Sequence, residues 1–263
     1  MIVFAAHVPN SPLLLPSISG DRIGAVTKTR DALEELAELL YVTKPDTIVL
    51  VSDHPTMYTD AFSISVSDPY VCDLADVGDL GYAKTYHPDF ALIDKLQRDL
   101  RALEQSVTLT TDERLNFASA IPLDFLAAQL PHVRIVPLSP CDMTPKEHFV
   151  FGQALKHTLH ASDKRVAIVS AGDTAHTLTD FAPGGLHDDG ATYDAALRTM
   201  VEHQNAAGLL QMDEDVIKNA QESAYRKLLV LFGTLDGMRV TPETLSYESP
   251  FGVGYLVVNF VLG

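Results

Sequence analysis

Five short apolar runs constrain this chain more than any other feature: residues 2–6, 47–52, 133–138, 165–170 and 254–261. They are rich in β-branched residues and show little alternation of polar with apolar positions. Runs of this length suit strands covered on both faces, as in parallel or mixed sheets. Helical patterns lie between them. Residues 27–40 bring Leu33, Leu36, Ala37 and Leu40 to one face, and residues 89–103 do the same with Leu92, Ile93, Leu96 and Leu100. Residues 191–210 and 215–232 also read as helices. Strand–helix alternation argues for an α/β fold with a central mixed sheet flanked by helices on both faces. There is no repeat, low-complexity tract or linker, so the expectation is one domain over residues 1–263. Residues 60–89 read as a short strand, with Phe62, Ile64 and Val66 alternating, followed by a long loop with a role in function.

Composition narrows the function classes. A hydrophobic share of 46% suits a packed core. The formal net charge of -16 opposes phosphate backbones and anionic membrane faces, so neither nucleic acid nor a membrane is an expected partner. The two cysteines, Cys72 and Cys141, are too few for a disulfide framework and fit a reducing compartment. The first residues read as a strand, not as a leader, and no stretch approaches the ~20 apolar residues of a membrane span. The expected location is therefore the cytoplasm.

Three of the ten histidines follow a strand run: His7 after residues 2–6, His54 after 47–52, and His176 after 165–171. Ligands of open α/β sheets gather at the carboxyl ends of strands. If these strands are parallel neighbours, the three imidazoles converge on one edge. Neutral imidazole ligates metals and transfers protons near pH 7. Two His and one carboxylate can hold ferrous iron on one face, leaving positions open. Each histidine alone is equally a loop or capping residue. Glu222, off the apolar stripe of the 215–232 helix, reads by pattern as a solvated helix glutamate. Asp173, three residues before His176, either orients that ring or caps the following turn.

Several segments, in this order, resemble the class III extradiol ring-cleavage dioxygenases related to protocatechuate ring-opening enzymes, and their bacterial relatives linked to the Memo and AMMECR1 proteins. These are Ala5-Ala6-His7-Val8-Pro9-Asn10-Ser11-Pro12, Val51-Ser52-Asp53-His54, Ser170-Ala171-Gly172-Asp173-Thr174-Ala175-His176, Ala220-Gln221-Glu222-Ser223-Ala224-Tyr225-Arg226, and the closing segment from Leu245 to Tyr255. The resemblance implies a non-haem Fe(2+) site, with Zn(2+) or another divalent metal as the alternative. It implies His54 and Glu222 as metal ligands and His176 as the acid/base residue. The expected substrates are a small aromatic diol and O2, and a homo-oligomer is left open. The first ligand is either His7 in a shifted register or Asn10, which stands where close relatives carry His. Taking His7 as the ligand leaves Asn10 as a substrate contact. Phe117 stands where many relatives carry a substrate-binding His, and it cannot donate a hydrogen bond. Two other readings therefore stand beside ring cleavage: a binding protein of the same fold with altered chemistry, and a metal-dependent hydrolase.

Overall fold

The computed structural model describes all 263 residues. In chain order the elements begin with β1 (Ile2–Val8), α1 (Pro16–Ser19), α2 (Thr27–Thr43), β2 (Thr47–Val51), β3 (Phe62–Ser65), β4 (Tyr70–Leu74), β5 (Asp79–Tyr86) and α3 (Phe90–Ala102). Then come β6 (Val107–Thr110), β7 (Arg114–Leu115), α4 (Phe117–Leu126), β8 (Arg134–Ser139), α5 (Pro145–His160) and β9 (Val166–Ala171). The chain closes with α6 (Asp188–Glu202), α7 (Ala206–Leu210), α8 (Glu214–Ala220), α9 (Tyr225–Leu235), β10 (Val240–Glu248) and β11 (Tyr255–Leu262).

Eight strands form one mixed sheet in the order β10-β11-β1-β9-β2-β8-β3-β6. The central four, β1, β9, β2 and β8, are parallel, whereas β11 and β3 flank them antiparallel. All residues of β2 and β9 are buried, which is what an apolar run without alternation predicts for strands covered on both faces. One core lies under α3, α5, α6 and α9 and contains Val49, Val51, Ile168 and Leu228. The other lies under α2 and α4 and contains Leu33, Leu36, Ile48 and Val169. The expected mixed sheet with helices on both faces is what the chain forms. No helix is long and apolar enough to cross a membrane.

Helices α5 and α9 cross at two glycines. A Cβ on Gly152 would stand 2.8 Å from the Gly233 Cα and from the Thr234 amide nitrogen, so the backbones touch where side chains would hold them apart.

Three sequence expectations are corrected. Residues 60–89 are not a strand and a loop; they contribute β3, then β4 and β5, which join β7 in a second sheet of order β5-β4-β7. Tyr70, Cys72 and Leu74 bury one face of β4, and the chain turns back at Gly78, whose φ of 97° is the left-handed conformation glycine tolerates. Residues 191–210 are two helices, separated by Gln204 at φ 48°. Residues 215–232 are likewise two helices, separated at Gln221 by a φ of 49°.

Candidate functional site

Strand register places the three histidines at the carboxyl ends of three neighbouring parallel strands. β9 lies between β1 and β2, and Ser170 pairs with His7 on one side and Val51 on the other. His54 follows three residues after Val51, and His176 follows the end of β9 across a loop. His7 lies inside β1 instead of past its end, because β1 runs on to Val8.

The rings differ in their surroundings. His7 is buried, and its Nδ1 lies 2.9 Å from Ser170 Oγ. Ser170 Oγ also donates to the Ala6 carbonyl at 3.5 Å, which makes it the acceptor from His7 Nδ1–H and leaves Nε2 with its lone pair. Burial pushes the His7 pKa down to about 3, with the Lys227 charge adding to the fall against a backbone contact with Gly172. Burial likewise pushes His54 down to about 4, against the charges of Asp53 and Asp112. Both rings are therefore neutral donors near pH 7. His176 is partly buried and its pKa is also lowered, by burial first. His7 Nε2, His54 Nε2 and His176 Nδ1 are buried without a hydrogen-bond partner, an arrangement that requires an explanation wherever it occurs.

Glu222 reaches these strand ends because the last two helices are broken, not continuous. It lies between α8 and α9, where its Oε2 accepts from the Tyr225 amide at 2.5 Å and from the Tyr193 hydroxyl at 3.2 Å. It is partly buried, not a solvated helix glutamate, and burial raises its pKa. A close approach fixes the junction against β9. A Cβ on Gly172 would stand 2.8 Å from the Ala224 Cα, so only glycine lets the strand end touch this turn. Next to it, the Asp173 amide donates to Ser223 Oγ at 2.9 Å.

Asn10 is buried, and its amide N–H donates to Asp173 Oδ1 at 2.9 Å. No hydrogen bond engages its side chain. Burial pushes the Asp173 carboxyl up to about 7 despite the Asn10 amide and the Lys227 charge. Asp173 Oδ2 and His176 Nε2 are 3.8 Å apart, which is not a hydrogen bond. Phe117 opens α4, more than a third exposed. Its helix is tied to the end of β2 by the 2.7 Å bond between Ser119 and Ser52 hydroxyls.

Lys227 is the residue that sequence reasoning missed. It is 3% exposed, and its Nζ donates to Asp53 Oδ2 at 2.5 Å and to the Ser223 carbonyl. Its charge also acts on His7, Asp173, His176 and Glu222. The sequence signal, a lysine beside the apolar stripe position Leu228, reads as an ordinary helix surface.

A cavity of about 740 Å³ opens beside the strand ends, lined by Asp53, Met57, Pro140, Glu222, Arg226 and Lys227 among others. Its walls come from the segments after β2 and β8 and from the α8–α9 junction. Neither residues 60–89 nor the loop around His187 lines it. The donor types suit a divalent transition metal: two neutral imidazoles, each with a free Nε2, and a carboxylate. They are not preassembled, since nowhere do three His, Cys, Asp or Glu side chains stand close enough to hold an ion.

Comparisons with known proteins agree with this architecture. A family model, the catalytic LigB subunit of aromatic ring-opening dioxygenase, matches residues 2–258. Protein CA_C1420 of Clostridium acetobutylicum is 24% identical over 263 residues, taking in 96% of this chain and 56% of that protein. The chain thus spans about half the length of the curated relative it matches. The crystal structure of an uncharacterized Escherichia coli K12 protein, JW3007, is similar with a TM-score of 0.65 at 17% identity, covering 98% of this chain and 100% of that one. At that identity the likeness concerns the fold.

Proposed function

Because the chain belongs to the family of the catalytic LigB subunit of aromatic ring-opening dioxygenases, we propose that residues 1–263 form a catalytic domain that opens a catechol-type ring with O2. His7, His54 and Glu222 are the residues that would hold a divalent metal, with Fe(2+) the ion suited to oxygen chemistry. The observation that carries this reading is the set of three buried, unpartnered imidazole nitrogens at the carboxyl ends of neighbouring parallel strands.

A bound ferrous ion would acidify the diol and supply the binding position for O2. The protein's own part is proton handling. His176, neutral because burial lowers its pKa, takes a proton from a diol hydroxyl at Nε2, since Nδ1 is sealed in the protein, and later returns it. Ser170 fixes the His7 ring through Nδ1, so that Nε2 faces away from the bond. The cavity beside Glu222 is the assigned substrate entrance; Asn10, buried behind it with His7 and His54 and outside its lining, is the assigned substrate contact deeper in.

A second reading, the same fold used for binding without ring cleavage, is favoured by Phe117, which lacks a hydrogen-bond donor. Oxygen uptake by anaerobically purified, Fe(2+)-loaded protein over a panel of catechols separates the two. Uptake with a ring-opened product, abolished in His176→Ala, is the expected result. Loaded iron with no uptake over the whole panel would leave the binding reading. Zinc retention with hydrolysis would point to metal-assisted hydrolysis instead.

A further inference from the structure

The geometry points to Lys227 as a built-in cation that neutralises the metal-free site, so that a divalent ion enters only by displacing its ammonium from Asp53. This inference rests on the metal reading given above and concerns what that reading does not explain: why a site rich in ligand atoms is not assembled.

Lysine is almost never fully buried unless paired, yet Lys227 is 3% exposed. It is also the third residue of α9, where the helix dipole disfavours positive charge. Two unfavourable placements coincide, so the local anions must hold the ammonium there. The direct partners are Asp53, adjacent to His54, and the carbonyl of Ser223, adjacent to Glu222. The ammonium thus bridges the neighbours of two assigned ligands that come from opposite ends of the chain. Its charge reaches His7, Asp173, His176 and Glu222 as well. One fixed positive charge therefore serves the same acidic and imidazole groups that a metal would serve. Like charges in a partly desolvated site repel strongly, so the two cations exclude each other. The flexible stem of lysine can carry the ammonium outward, because Lys227 already borders the cavity.

The test is divalent-ion binding to the full chain, followed by Co(2+) absorption and by anaerobic equilibrium dialysis with Fe(2+). The proteins compared are wild type, Lys227→Met and Lys227→Arg. Lys227→Met should bind one ion at least about tenfold more tightly than wild type, while Lys227→Arg, which keeps the charge, should not. In the metal-free state Lys227→Met should melt lower than wild type, because Asp53 loses its partner, and added Co(2+) should restore it. Where Lys227→Met does not fold, Lys227→Gln, which still donates to Asp53, carries the same comparison. Equal affinity in wild type and the neutral variants would overturn the inference while leaving the metal reading standing. Binding by none of the proteins would end the metal reading, and the competition with it.

Discussion

Asp173 Oδ2 and His176 Nε2 stand 3.8 Å apart, close enough for charge to matter and too far for a hydrogen bond. The bond that Asp173 does make is to the amide of Asn10. Its part is therefore to hold the chain after β1, and a neutral isostere should serve. Asp173→Asn is expected to keep wild-type stability or exceed it at pH 7, because burial already favours the uncharged form. Asp173→Ala strands a buried N–H and should cost about 1–3 kcal/mol in urea denaturation. A shift in the pH profile of His176-dependent activity in Asp173→Asn would show instead that the carboxyl acts on the ring.

The neutral state of His7 and His54 should be visible in acid. Their folded pKa values, about 3 and about 4, lie below the ordinary 6.5, so the folded chain binds fewer protons than the unfolded chain. The stability they contribute is full above pH 6.5 and is lost as the pH falls toward 4 and then 3. Denaturation of metal-free protein at several pH values should show this loss. His54→Gln should flatten it by about 1.4 kcal/mol per pH unit. Asp173 has the opposite sign, since its folded pKa is about 7 against 3.8. Asp173→Asn should therefore make the acid loss steeper.

Gly172→Ala should be costly out of proportion to one methyl group. The added carbon meets the Ala224 Cα at 2.8 Å, and the junction that carries Glu222 has to move. A destabilisation of about 1–3 kcal/mol is expected, together with weaker metal binding. Unchanged values for both would mean that the junction shifts freely.

Ser170→Ala tests which atom near the first strand is the metal ligand. If His7 Nε2 ligates, loss of the partner at Nδ1 should weaken metal binding by about 10–100-fold. His7→Ala should then lose the metal and Asn10→Ala keep it. The reverse pattern in anaerobic metal analysis would assign the role to Asn10.

The sheet was legible because apolar runs report double-sided burial directly. That the strands preceding His7, His54 and His176 are parallel neighbours was legible too, since unbroken apolar runs belong at the centre of such a sheet. What stayed hidden had physical reasons. The stripe Ile217, Ala220, Ala224, Leu228 keeps helical spacing through the break at Gln221, and no Gly or Pro marks the turn. The strand β5 is largely exposed, so it lacks the apolar signature that revealed the others. Lys227 and Asp53 are 174 positions apart, and no local pattern encodes a pairing at that range.

The glycine crossing of α5 and α9 has a mechanical consequence. Backbones in direct contact at Gly152 and Gly233 lock the two helices into one strut, with no soft side-chain layer between them to shear. α9 therefore offers Lys227 a fixed mounting, and whatever travel its ammonium has is set by the torsions of its own stem.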